Sequence, residues 1–211
     1  MSQLLSAFYP LLLPELPACP EPMMDLHLRE VARDFCLRTS AWAAPFDAID
    51  LVASQASYDL DAPESDAVVT RVTKLTANSV LLWTDTDAAP GEVAPKYRRD
   101  EPPFTVSNDL LEITLIAEEV PTAAVTGGLQ LVGALQPSRS APALPDFLLT
   151  VYSDAMRVGT LARLMVMANK PWTDRALAGD YRSQWEQKVG HAAYQVDVGN
   201  TRKTLRVRKW G

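Results

Sequence analysis

In the segment PEPMMDLHLREVARDFCLRTSAWAAP, apolar side chains fall at Leu28, Val31, Ala32, Phe35 and Cys36, the positions i, i+3, i+4, i+7 and i+8. That is the period at which one side of an α-helix meets a core. Pro22 suits a first helical turn, where its missing N–H costs nothing, and Pro45 closes the segment, so the pattern predicts a helix over 22–43. Helical spacing returns in LPDFLLTVYSDAMRVGTLARLMVMANKPW, where Leu148, Val151, Tyr152, Ala155, Met156, Gly159, Ala162 and Arg163 trace one stripe. Leu161, Leu164, Met165 and Met167 widen it, which predicts one helix buried over most of its circumference. At about 24 residues it would be roughly 36 Å long, and the stretch Asn169 to Trp172 ends it. Thr173 or Asp174 then caps another helix, with Leu177, Ala178, Tyr181, Trp185, Val189, Ala192, Ala193 and Val196 on one face.

Between these helices the period changes to two. IDLVASQASYDL, AVVTRVTKL, SVLLWTDT, LEITLIAEEV and GLQLVGALQPS are short, rich in Val, Thr, Leu and Ile, and separated by turn-formers such as DAPESD, TAN, DAAPGE and TGG. In AVVTRVTKL, strict alternation sends Val68, Thr70, Val72 and Lys74 to one side and Val69, Arg71, Thr73 and Leu75 to the other. An antiparallel module of five or six strands is expected, with PGEVAPKYRRDEPP as a mobile loop. The fold class is α+β. About three main helices form a bundle core from 1–45 and 139–200, a β module spans 46–138, and a basic C-terminal arm spans 201–211. The helices should share one bundle because each has an apolar face that it cannot bury alone.

Composition adjusts this picture little. Hydrophobic content of 47% and charged content of 22% are those of an ordinary globular chain. No apolar run approaches the roughly 18–20 residues that span a bilayer. The opening MSQLLSAFYPLLLPELP lacks a basic start and is interrupted by Pro10, Pro14 and Pro17, so a non-secreted protein is expected. Five of the sixteen prolines lie in the first 22 residues, which predicts an extended rather than helical N-terminal arm. Two cysteines do not make a disulfide framework.

Charge matters more. The net charge is −6, yet the closing TRKTLRVRKWG holds five bases, Arg202, Lys203, Arg206, Arg208 and Lys209, and no acid. An acidic body argues against general affinity for nucleic acid, which relies on Lys and Arg displacing counterions from phosphates. Candidate chemistry is sparse. The histidines, His27 and His191, sit on different helices; Cys36 lies on an apolar stripe, and Cys19 has no basic neighbour to activate a thiolate. Asp146 and Asp174 stand where caps are needed, and Glu118 and Glu119 read as a solvated strand end. No metal-ligand or nucleophile–base motif is present, so no catalytic residue, metal or cofactor is assigned and an enzyme is the least favoured class. Ala155, Gly159 and Ala162, at spacings of three and four, would let helices approach closely, and with Phe35, Tyr181 and Trp185 they are the expected helix-packing residues.

Two blocks carry a resemblance. YPLLLPELPACPEPMMDLHLREVARDFCLRTSAW resembles the opening of the head-to-tail adaptor (connector) proteins of tailed bacteriophages, with its Pro-rich arm, its CPEP turn and a helix ending in FCLRTSAW. The stretch from LQPSRSAPALPDFL through KPWTDRALAGDYRSQWEQKVGHAAYQVDVG resembles the paired helices of the same family. Together they cover about half the chain, and the β module corresponds by position only. The resemblance implies a virion structural protein in the phage neck. Such a protein forms a ring, usually of twelve copies, below the portal protein, and continues the DNA channel towards the next tail component, a stopper, nozzle or tail-tube protein. Genomic DNA would pass through without specific binding. The arm would dock on the portal or on a neighbouring subunit: Leu205 and Val207 alternate with Arg206 and Arg208 in a strand pattern, and Trp210 adds an interface anchor. Two other classes compete. A baseplate or minor tail protein would use the β module to bind host glycans, and a nucleic-acid-binding module would grip DNA through the tail, although no Arg-rich face is evident elsewhere.

Overall fold

The computed structural model describes residues 2–84, 95–98 and 100–198. Among these the chain is mixed α+β, with five α-helices and antiparallel sheets. The arm at 201–211, with its docking residues Arg202, Lys203, Leu205, Arg206, Val207, Arg208, Lys209 and Trp210, lies outside the described residues.

The N-terminal segment is folded rather than extended. Strand β1 (Ser2–Leu4) pairs with β10 (Ala143–Pro145), a 3-10 turn covers Leu5–Phe8, and a short helix, α1, covers Tyr9–Leu12 with Pro10 in its first turn. Leu5, Phe8, Leu12 and Leu16 are buried. Their spacing of three and four residues is a helical stripe that the prolines obscure, because Pro10 occupies a position where no N–H is required. Glu15 then pins the segment: its carboxylate accepts from Arg157 at 2.7 Å and from the Tyr181 hydroxyl.

Helix α2 (Glu21–Thr39) follows the expected stripe, with Leu28, Val31, Ala32, Phe35 and Cys36 buried, but ends four residues early. The Thr39 hydroxyl donates back to the Phe35 carbonyl at 2.8 Å, and Ser40 turns left-handed at φ 52°. The chain therefore leaves the helix in time to form β2 (Ala43–Pro45), which joins the main sheet.

That sheet is built on β9 (Val125–Pro137), which pairs with β2, β3 (Ile49–Leu51) and β5 (Ala67–Ala77); β6 (Val80–Thr84) extends it beyond β5. A smaller sheet has the order β4 (Ser57–Asp59), β8 (Glu112–Leu115), β7 (Phe104–Val106). Seven strands thus lie between 46 and 138 among the described residues, more than the five or six expected. IDLVASQASYDL supplies two, and FTV is an additional one. Phe104 meets Trp83 of β6 edge-on, centroids 5.2 Å apart, and couples the small sheet to the end of the large one.

Strict alternation fails along β5. The ladder to β9 shifts between Val69 and Arg71 and again between Val72 and Lys74, so Thr70 and Thr73 are the extra residues of two bulges. Their hydroxyls donate to the carbonyls of Ala134 and Val132 at 2.9 and 3.0 Å. The buried positions become Val69, Val72 and Leu75, three apart, while Arg71 and Lys74 both emerge on the exposed side.

In the segment expected as a mobile loop, Lys96 and Tyr97 donate backbone N–H groups to Leu81 and Leu82 at 3.0 and 2.9 Å. Glu119 holds them as well, accepting from the Lys96 ammonium and, at 2.6 Å, from the Tyr97 hydroxyl. Glu119 is therefore half-buried and engaged, not a solvated strand end, and it closes a 3-10 turn at Ala117–Glu119.

The one long helix expected in LPDFLLTVYSDAMRVGTLARLMVM is two helices, α3 (Asp146–Thr150) and α4 (Ser153–Met165). At the break Tyr152 turns its ring between Phe147 and Phe35, centroids 6.0 and 4.7 Å away, while Val151 of the expected stripe is left exposed. Asp174 caps α5 (Arg175–Asp197) by accepting from Leu177 N at 3.0 Å. One continuous cluster of buried side chains runs through the helices and both sheets. Arg29 and Arg33 of α2 also reach across, donating to the carbonyls of Ala141 and Pro137 at 3.0 and 2.6 Å.

Candidate interaction surface

Of the expected helix-packing residues, Phe35, Gly159 and Trp185 come together, around the Trp185 ring. Phe35 of α2 is fully buried, with the Trp185 ring of α5 6.0 Å away, and Ala155, Tyr181 and Trp185 are buried as well. Ala162 is half-buried. Gly159 sits at the tightest point: a Cβ there would lie 2.6 Å from Trp185 Cε3 and 2.7 Å from Val31 Cγ1. Three helices converge on a position that has no room for a methyl group.

The cysteines are buried and Asp146 is engaged at a helix start. Burial pushes the Cys36 thiol up to about 12, far from thiolate reactivity at neutral pH, and burial also raises Cys19. His27 lies on α2 with Nδ1 3.4 Å from Glu30, and His191 is exposed on α5. Asp146 begins α3 and accepts from Gln3 at 2.7 Å.

The outer side of α2 carries a feature that sequence reasoning missed. Arg29, Arg33 and Arg139 line a groove of about 440 Å³ with Arg163 of α4, flanked by Leu26 and Leu37. A second groove of about 410 Å³ shares Asp34 and Arg163 with the first and continues past Arg175 and Arg182. Glu30 and Asp34 are both taken by Arg163, at 3.3 Å each, and Glu186 is taken by Arg38. Arg29, Arg33 and Arg139 have no carboxylate within ion-pair distance among the described residues. The Arg33 guanidinium is held below its ordinary value by burial and by the neighbouring Arg139 charge. An Arg-rich face does exist, contrary to expectation. Its members come from positions 29, 33, 139, 163, 175 and 182, so only the fold gathers them. The one local signal was Leu26, Arg29, Arg33 and Leu37 at helical spacing opposite the core stripe.

Negative charge is segregated in turn. The segment 46–138 holds 15 carboxylates against five bases. A third groove, of about 570 Å³, lies where the α2 and α5 C-terminal ends meet the sheet; Arg38, Arg71, Lys74, Tyr194 and Asp197 line it.

No protein-family model matches the chain, and no curated protein matches it.

Proposed function

We propose that this protein is a head-to-tail adaptor of a tailed bacteriophage: a virion structural protein, not an enzyme, that forms a ring below the portal and carries the DNA channel to the next tail component. The observation that carries the reading is spatial. The two blocks that resemble connector proteins are separated in sequence by the segment 43–134, yet they pack on one another through Phe35, Tyr152, Gly159 and Trp185. In this reading α2, α4 and α5 are the bundle core, 46–138 is the inserted module, and 201–211 is the arm that reaches the portal. Mixing the purified protein with its cognate portal protein and imaging by negative stain should give rings seated on the portal. Deleting 201–211 should leave the melting temperature unchanged and abolish co-purification with the portal. A stable free trimer that ignores the portal would overturn the proposal in favour of a baseplate protein.

A second reading, nucleic-acid contact, draws support from the arginine-lined grooves. It requires the intact protein to retain duplex DNA in a strongly salt-dependent way.

A further inference from the structure

The turn between β7 and β8 is a built knob. Ser107 and Glu112 face each other through Ser107 N to Glu112 O at 2.9 Å and Glu112 N to the Ser107 hydroxyl at 3.0 Å. Inside the turn the Asp109 carboxylate accepts from the Ser107 hydroxyl at 2.5 Å and from Leu111 N at 3.3 Å, and Leu110 takes a left-handed φ of 61°. The result presents Leu111, 61% exposed, between two carboxylates. Glu112 also lies directly across the ladder from Asp59, a like-charge pair of the kind that destabilises a sheet unless a cation intervenes. No ion pair relieves either carboxylate among the described residues.

The α2 groove shows the same imbalance with the sign reversed. Its lining holds Glu30 and Asp34, but both pair with Arg163; Arg33 and Arg139 stand together with no carboxylate in ion-pair distance among the described residues, and Leu26 and Leu37, 46% and 55% exposed, lie on the same lining. The groove's bases are all arginine, the basic residue enriched in protein interfaces where lysine is depleted. Exposed leucines on both surfaces favour a protein partner over a phosphate backbone.

We propose that the Asp109–Glu112 knob of one copy docks in the arginine-lined groove of α2 on a second copy, with Leu111 against Leu37, one helical turn from Arg33, and Glu112 and Asp59 facing Arg33 and Arg139. The two surfaces belong to different elements, so the contact is heterologous, the kind that closes into rings when the rotation permits. The inference deepens the ring reading and rests on it for its biological meaning, but its chemistry is testable alone.

The test is sedimentation velocity of the full chain over a concentration series, at about 50 mM and about 500 mM salt, conditions that differ several-fold in screening length. Wild type should associate at low salt and less at high salt. Arg139→Glu and Leu111→Asp, both at exposed positions, should each weaken association at least about tenfold, and pairing Arg139→Glu with Glu112→Arg should restore it. Unchanged melting temperatures would show that the variants fold. The proposal is overturned if wild type stays monomeric at every concentration, or if the single variants associate as wild type does. It is also overturned if duplex DNA binding is lost in Arg139→Glu while self-association is untouched. Rings that still form on the portal with both single variants would sink this contact and leave the adaptor reading standing. Loss and rescue in a protein that binds no portal would do the reverse.

Discussion

Gly159 offers a test of the helical packing in which the sign of the effect is informative. In an exposed helix interior, replacing glycine by alanine stabilises by about 0.5–1 kcal/mol, because glycine loses more conformational freedom on folding. Gly179 and Gly190 of α5 are such positions, since a Cβ at either meets nothing within 4 Å. At Gly159 the same methyl would stand 2.6 and 2.8 Å from Trp185 ring carbons and 2.7 Å from Val31 Cγ1. Carbon atoms rest at about 3.5–4.0 Å, so α2 and α5 must both retreat from α4 by roughly an ångström. Overpacking a well-filled core in this way costs about 1–3 kcal/mol.

Set against the helix-propensity gain, the net for Gly159→Ala is a loss of about 1–2 kcal/mol, or roughly 2–8 °C in melting temperature for a chain of this size. Gly179→Ala should instead raise the melting temperature by about 1–4 °C. Thermal unfolding followed by circular dichroism, on the three proteins side by side, reads both. If Gly159→Ala matches Gly179→Ala in sign, the helices do not close on that point and the packing argument fails.

Other substitutions probe separate parts of the fold. Trp185→Ala should cost about 3–5 kcal/mol in urea unfolding, the range for deleting a large buried aromatic; a melting temperature within a degree or two of wild type would contradict the burial of its ring. Thr70→Val and Thr73→Val should each cost about 1 kcal/mol, since each removes a hydroxyl that caps a bulge carbonyl, and a neutral result would mean the bulges hold without them. The Asp154 carboxylate is held below its ordinary 3.8 by the Lys188 ammonium 2.5 Å away and by Arg157. Its contribution is therefore present above pH 3.8 and lost as pH falls through the depressed folded value. Asp154→Asn should lower stability at neutral pH by at most about 1 kcal/mol, because solvent screens a surface pair. The gap to wild type should close in acid, and a gap that persists there would refute the assignment.

What could be read in advance depended on whether one stretch of chain decides its own structure. The core faces of α2 and α5 were legible because Leu28 to Cys36 and Ala178 to Ala192 repeat at the helical period and are buried at that period. The Asp174 cap was legible for the same local reason. The N-terminal segment was misread because its prolines outweighed the spacing of Leu5, Phe8, Leu12 and Leu16. The break at Val151–Tyr152 has no proline or glycine to announce it, and the Tyr152 ring there packs on Phe35, more than a hundred residues away. The β5 bulges depend on which carbonyls of β9 stand opposite Thr70 and Thr73, a matter of pairing rather than composition. The arginine-lined grooves were illegible because no window of sequence contains more than a few of their members.

The location of charge also narrows where the basic arm can go. The net charge is −6 although TRKTLRVRKWG contributes five bases and no acid. The acid is not spread evenly, however: the segment 46–138 carries most of the excess, with 15 carboxylates against five bases. Among copies of this chain, the arm's electrostatic target is thus the same module whose knob is proposed to dock in the α2 groove. If the arm bound there, the two would compete, and an assembly that depended on the knob would be inhibited by its own arms. Steering by five bases acts over about a Debye length, some 10 Å at moderate salt, so the competition would appear at low ionic strength. Docking of the arm on the portal avoids it. Without portal present the arm is free to compete, so deleting 201–211 should raise low-salt self-association of the chain alone while removing retention on the portal. Both are measurable with one truncated protein, by sedimentation and by pull-down. A fall in self-association on truncation would place the arm on a neighbouring subunit, and a rise would show that the arm and the arginine groove compete for the same carboxylates.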